Sequence, residues 1–245
     1  MILRMLIKQG YKYFKNGYLS YTSHRKESDR AYTNDNTIMK TIGIGITTMN
    51  RPDCLKKCLD SIKKHTFNDG VSIYVADDSV NRVGVAKRKN ECLRALKHCD
   101  HVFLLDDDVS IIRDGWIEFF IQSNVGHCMF LSHKLHNFKY QKDNVKVFAD
   151  CGGVFLYMDK KAIEKVGAFD EKFEFWGMEH CDWSMRWNNR NREFYMLEGT
   201  ENYLYAEDYS NPNHKSSITN EEKNLLFRKN FTKFAKGIDK IYIPL

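Results

Sequence analysis

The stretch His101-Val102-Phe103-Leu104-Leu105-Asp106-Asp107-Asp108-Val109 constrains this chain more than any other. An apolar run of strand length that breaks into three consecutive carboxylates predicts a buried central strand ending at a polar edge, because in open α/β sheets ligands bind beyond the carboxyl ends of the strands. Three adjacent acids repel one another and stay ionised at neutral pH only where water, basic groups or a divalent cation offsets the repulsion. Oxygen ligands favour magnesium or manganese. An acidic turn or helix cap after the strand is the alternative, and it asks for no metal.

The flanking pattern is that of an α/β sheet. Thr41 to Thr48 reads as a short strand, and Asn50 and Pro52 read as the cap and first turn of a helix whose inward stripe is Leu55, Cys58, Leu59 and Ile62. Val71 to Ala76 is a second strand and also ends in acids, Asp77 and Asp78. Gly84 opens a helix with Val85, Cys92, Leu93 and Leu96 inward, which leads to the acid-tipped strand. Three strands separated by helices predict a right-handed parallel arrangement. Beyond the acids, a helix over 114–121, strands at Cys128–Leu131 and Val154–Met158, and a short helix Lys160–Val166 continue the pattern. A Trp176-Gly177 turn then leads into a helix with an acidic first turn, as a helix dipole prefers. A last amphipathic helix runs over 220–236.

With 245 residues and 42% hydrophobic content the chain can bury one large core. No run of about 18 uncharged apolar residues and no signal-peptide pattern occurs, so a cytoplasmic body is expected. Cys54, Cys58, Cys92, Cys99, Cys128, Cys151 and Cys181 show no paired spacing of zinc type and are expected to be reduced core residues. The net charge of +6 is concentrated in the first forty residues, which carry eight basic side chains against three acids. That argues against a nucleic-acid protein and places any attraction for anionic surfaces in the N-terminal arm. In Met1–Ser20, Leu3, Leu6, Ile7, Tyr11 and Phe14 fall near helical spacing with Lys8, Lys12 and Lys15 between them. Such a helix suits either a membrane-peripheral role or packing on its own domain.

In their order and spacing, the Ile44-to-Arg51 strand and loop, Asp77-Asp78, Gly84 to Asn90, Asp106-Asp107-Asp108, and Trp176 to Asp182 with Arg186 resemble the nucleotide-sugar glycosyltransferases of the GT-A fold, in particular the large, mostly inverting family 2-like group. The resemblance covers roughly residues 40 to 215. It implies a single Rossmann-like α/β domain over 39–215, with a mixed, mainly parallel central sheet flanked by helices. An arm and linker over 1–38 would precede it and a helical tail over 216–245 would follow. It further implies that Thr47, Thr48, Arg51, Asp77, Asp78, Arg88, Asp106, Asp107, Gly153 and Trp176 bind a nucleotide sugar, with UDP favoured. Asp106, Asp108 and His214 would hold Mn2+ or Mg2+.

The activity so implied is metal-dependent transfer of a sugar from a nucleotide-diphosphate donor to a hydroxyl of a glycan or lipid-linked acceptor, with inversion expected. The later cluster Glu179, His180 and Asp182 supplies the catalytic candidates. The chain departs from the family where an acid usually follows Glu179, for His180 stands there, so the base is open among the three. A similarity to the retaining polypeptide N-acetylgalactosaminyltransferases leaves the stereochemistry open as well. Trp176, Trp183 and Phe175 are candidates for stacking on a sugar face. Two rival functions remain. A sugar-phosphate nucleotidyltransferase would want a Gly-rich basic loop after the first strand, which Thr47 to Pro52 lacks. A non-catalytic nucleotide-sugar-binding module would be expected to lose acids that this chain keeps.

Overall fold

The computed structural model describes residues 12–14, 18–20, 40–67, 70–131, 137–207, 218–237 and 240–245. Its strands and helices, in chain order, are β1 (Lys12–Phe14), β2 (Tyr18–Ser20), β3 (Ile42–Thr48), α1 (Pro52–His65), β4 (Val71–Asp77), α2 (Val85–Ala95), β5 (His101–Asp106), β6 (Val109–Ile111) and α3 (Trp116–Gln122). Then come β7 (His127–Met129), β8 (Phe138–Lys142), β9 (Val145–Phe148), β10 (Phe155–Asp159), α4 (Lys160–Val166), α5 (Glu179–Trp187), β11 (Phe194–Leu197), β12 (Leu204–Ala206) and α6 (Asn220–Ala235).

Seven strands form the main sheet in the order β1-β2-β4-β3-β5-β10-β7. The sheet is mixed, as expected, but partly rather than mainly parallel, with two parallel pairings among its six. Its parallel part is the central trio, with β3 parallel to β4 and to β5, while β10 runs antiparallel to β5 and β7, and β2 antiparallel to β4. Strand β3 is buried along its whole length, as a central strand covered on both faces must be, and its Ile42, Ile44 and Ile46 sit in the core with Val102, Phe103, Leu104 and Leu105 of β5. Helix α1 buries the stripe read from its sequence, Leu55, Cys58, Leu59 and Ile62. Two small antiparallel sheets, β11-β9-β8 and β12-β6, lie apart from the main one.

Three expectations are corrected here. Lys12–Phe14 and Tyr18–Ser20 are not helical but form an antiparallel hairpin, and β2 adds to the edge of β4 through Tyr18–Tyr74, Leu19–Ile73 and Ser20–Ser72 pairs. The aromatic content of these triplets and the intervening Asn16-Gly17 favour that outcome, since Asn-Gly is a strong hairpin signal and β4 offers an open edge. The rest of the arm lies outside the described residues. Asn50 does not cap α1. It takes a left-handed backbone with φ 55, and Arg51 occupies the cap position without a side-chain cap bond. Cys151 and Cys181 are joined as a disulfide across a sequence separation of 30. The other five cysteines are free, as expected. Among the described residues no helix is long and apolar enough to cross a membrane.

Candidate active site

The site begins where β3, β4 and β5 end together. Strand β5 stops at Asp106, opposite Thr47 of β3. Thr47 Oγ1 donates to Asp106 Oδ1 at 2.9 Å, and Thr48 Oγ1 donates to Asp107 Oδ2 at 2.6 Å. Arg51, carried over the strand ends by the turn at Asn50, pairs with Asp107 and donates from Nη1 to Asp108 Oδ2 at 3.0 Å. Asp106 is thus held by Thr47, while Asp107 and Asp108 share Arg51. Burial pushes the Asp106 carboxyl up to about 6, with Lys89 opposing and Asp108 adding to the rise. Burial likewise lifts Asp107 to about 7 against the pull of Arg51. Burial works against the charge on Arg51, but Asp107, Asp108 and Asp106 outweigh it and hold the guanidinium protonated well above its ordinary range.

An open cavity lies here, lined among others by Thr47, Thr48, Arg51, Asp78, Arg88 and Asp106. Asp107 and Asp108 are not on its wall. They are buried, with Arg51 as their shared partner. Asp78 accepts from the Val83 and Gly84 amides at 2.7 and 2.9 Å and from Arg88 Nε at 3.0 Å, so this carboxylate shapes the loop leading into α2. Asp77, the other β4-end acid expected to bind the nucleotide sugar, instead caps its own turn by accepting from Ser79 N at 2.9 Å, and it is not among the residues lining the cavity. Gly84 is required at the head of α2. Its φ is 98, and a Cβ there would lie 2.6 Å from the Phe175 amide nitrogen. That close approach lets Val85 N donate to Phe175 O at 2.9 Å and ties α2 to the Phe175-Trp176 turn.

A second cavity adjoins the first, with Val85, Asp106 and Trp176 in the walls of both, and its far wall is Gly152, Gly153, Glu179, His180 and the Cys151–Cys181 disulfide. Glu179 is buried. Its Oε1 accepts from Lys89 Nζ at 3.0 Å and lies 3.1 Å from His180 Nδ1. Burial would raise this carboxyl, but Lys89 and then His180 hold it well below the usual range. Gly153 packs against the imidazole, and a Cβ there would come within 2.5 Å of His180 Nδ1. Helix α6 closes the cleft from outside, with Lys223 and Leu226 on the first cavity and Phe227 on the second. Asn230 of the same helix donates to Glu174 O and Trp176 O at 3.0 and 2.8 Å.

Of the three catalytic candidates, Glu179 and His180 reach the cleft and Asp182 does not. Asp182 is buried beneath α5, where its Oδ2 accepts from Arg186 Nε at 2.8 Å, while Arg186 also donates to the Val166 and Ala168 carbonyls. Asp182 thus turns inward toward the domain, which corrects its expectation as a catalytic candidate. Trp183 is likewise core, with Nε1 donating to Gly167 O, whereas Phe175 and Trp176 line the first cavity. His214 lies outside the described residues. Lys89 was not foreseen. It is 1% exposed, and the signal for it was a lysine on the inward stripe of α2 that also holds Ala86, Leu93 and Leu96.

For a divalent cation the residues fit. Asp106 stands on the cavity wall, and Asp108 Oδ1 is buried with no hydrogen-bond partner, which is a costly state for a carboxylate oxygen unless a cation or donor reaches it.

The topology and the placement of acids at the carboxyl ends of the central strands define the chain as having the GT-A fold of nucleotide-sugar glycosyltransferases. Among solved structures, it is similar to a Drosophila β-1,4-galactosyltransferase 7 mutant in complex with manganese, UDP-Gal and xylobiose, with TM-score 0.51, 16% identity, and coverage of 77% of this chain and 79% of that one. It is also similar to GalNAc-T7 with UDP, GalNAc and Mn2+, with TM-score 0.50, 11% identity, and coverage of 73% and 46%. In sequence it is 27% identical over 137 residues to an uncharacterized glycosyltransferase of Acanthamoeba polyphaga mimivirus, covering 49% of this chain. The chain spans about half the length of that curated relative. No family model matches the chain.

Proposed function

We propose that the chain is a metal-dependent glycosyltransferase that moves a sugar from a nucleotide-diphosphate donor to a hydroxyl of a glycan or lipid-linked acceptor, with inversion at the anomeric carbon. The observation that carries the reading is a pair of adjoining cavities, with the strand-end Asp106 in the wall they share and, at the far end, an imidazole beside a buried carboxylate. The first cavity would take the nucleotide, with Arg51, Arg82, Arg88 and Lys223 as its cationic wall. Asp106 and Asp108 would hold Mn2+ or Mg2+, which when bound supplies Lewis-acid stabilisation of the departing diphosphate. The manganese and UDP species in the Drosophila and GalNAc-T7 structures favour a UDP donor.

At the other end His180 acts as base. The acceptor oxygen attacks the anomeric carbon and its proton passes to the imidazole. The bond to the diphosphate oxygen breaks, and its electron pair leaves with the diphosphate. Glu179 does not suit the role, because its ion pair with Lys89 keeps it a weak base.

Screening the purified chain against UDP- and GDP-sugars for Mn2+-dependent hydrolysis tests the reading. Hydrolysis should be lost in EDTA and in Asp108→Ala. Full turnover in EDTA would sink the metal assignment. Joining of a nucleotide to a sugar phosphate would favour the nucleotidyltransferase, and thermal stabilisation by UDP with Mn2+ but no turnover of any donor would favour the binding module.

A further inference from the structure

We propose that Lys89 is a positioning residue for the reaction, fixing the protonation and orientation of His180 through Glu179; the role rests on the reading of His180 as base. Lys89 Nζ is withdrawn from solvent and makes two hydrogen bonds, to Glu179 Oε1 at 3.0 Å and to Gly153 O at 3.2 Å. A buried ammonium of this kind carries a desolvation cost of several kcal/mol, which a fold tolerates only where a carboxylate answers it. Here the answering oxygen is the one His180 Nδ1 approaches at 3.1 Å, while Glu179 Oε2 is buried with no partner.

The chemistry of the three groups then sets one arrangement. Paired with Lys89, Glu179 stays ionised and can only accept hydrogen bonds, so the ring nitrogen facing it must carry the proton. Nδ1 is therefore the N–H and the lone pair lies on Nε2, the form in which an imidazole takes a proton from a hydroxyl. The imidazolium that results has the Glu179 carboxylate beside it. Gly153 ties the pieces together, since its carbonyl holds Lys89 and its Cα abuts the ring so closely that no side chain fits between them.

Without the lysine, a carboxyl buried to this degree takes up a proton, and a protonated Glu179 can donate to Nδ1 and invert the tautomer. The charged and titratable groups around this point are Lys89 from α2, Glu179 and His180 from the start of α5, and Asp106 from the end of β5. The Asp106 carboxylate adds to the field that keeps Lys89 charged.

The test is Lys89→Met, which keeps the length of the chain and removes its charge, with Lys89→Arg as the conservative variant. Imidazole nitrogen NMR of the full chain reads the His180 tautomer whether or not a donor is known. Wild type should show Nδ1–H, Lys89→Met should show a mixed or inverted tautomer, and Lys89→Arg should restore the wild-type pattern. UDP binding in Mn2+ should be retained. With a donor found by the screen, kcat should fall on the order of a hundredfold, the lower end of what a positioned base contributes, with donor KM unchanged. The pH profile of kcat should shift as well. If Lys89→Met does not fold, the double variant Lys89→Met with Glu179→Gln removes both buried charges and should show the same loss of tautomer preference. A wild-type His180 spectrum in the methionine or double variant would overturn the proposal. Failure of wild type to turn over any donor would overturn the glycosyltransferase reading instead and leave the NMR result to stand.

Discussion

Glu179 and Lys89 are two charges buried against each other, and their effect on stability has a definite sign. The Glu179 carboxyl is held below its ordinary value of 4.5, burial opposing and Lys89 and His180 prevailing. A carboxyl so lowered binds fewer protons in the folded than in the unfolded chain. Its contribution is therefore fully present above the ordinary value and is lost as pH falls below it toward the folded one. Glu179→Gln leaves Lys89 buried without its counter-charge, which typically costs about 3 kcal/mol or more and lowers Tm by roughly 6–12 °C for a chain of this size. That gap should be full at neutral pH and narrow below about pH 4, where the unfolded chain binds a proton that the folded carboxylate still excludes. Thermal melts of both proteins across the acid range measure it, and a gap independent of pH would mean that Glu179 acts through its shape alone. At this scale the sequence was informative only in part. The acid triplet, Thr47, Thr48 and the Glu179-His180 pair could be read because each sits beside a strand end or turn. Asp182 could not be separated from them, since a three-residue spacing fixes a helical face but not whether that face meets solvent or core.

Among the elements, the loop 151–154 and the first turn of α5 form the wall nearest His180, and the Cys151–Cys181 disulfide joins them. Closing a loop of 30 residues should contribute about 3–4 kcal/mol on chain-entropy grounds. Cys151→Ser should then lower Tm by roughly 10 °C. Reductant should do the same to the wild type and nothing further to the variant. The denatured, unreduced chain should titrate five thiols, the number of free cysteines. A count of seven would show the pair reduced, as the sequence alone suggested. The helices and central strands were legible because apolar periodicity follows directly from one-sided burial. The disulfide was not, because it joins residues whose approach depends on how β10 and α5 pack. The β1–β2 hairpin was obscured for another reason, as basic and aromatic residues over so short a span satisfy helical and strand spacing together, and only the open edge of β4 decides.

At the scale of the whole molecule, the uneven charge and the sheet edge meet in the same segment. Strand β2 covers the outer edge of β4, so removing the arm would expose an unpaired strand, a liability for association, and would confuse loss of fold with loss of binding. The membrane role inferred from the arm is better tested by charge. Replacing Arg4, Lys8, Lys12 and Lys15 with Gln keeps the length and every backbone donor while removing four of the eight basic side chains in the first forty residues. Each lysine or arginine near an anionic leaflet is worth about 1 kcal/mol and is screened within a Debye length, so the effect belongs to low salt. The full chain should sediment with phosphatidylserine-containing vesicles at low ionic strength, and the glutamine variant should stay in the supernatant. Donor hydrolysis should be equal in the two, because none of the four replaced side chains is among the binding or catalytic candidates. Equal sedimentation of both, or of neither, would assign the arm to the sheet edge alone and would remove the reason to look for the acceptor at a membrane surface.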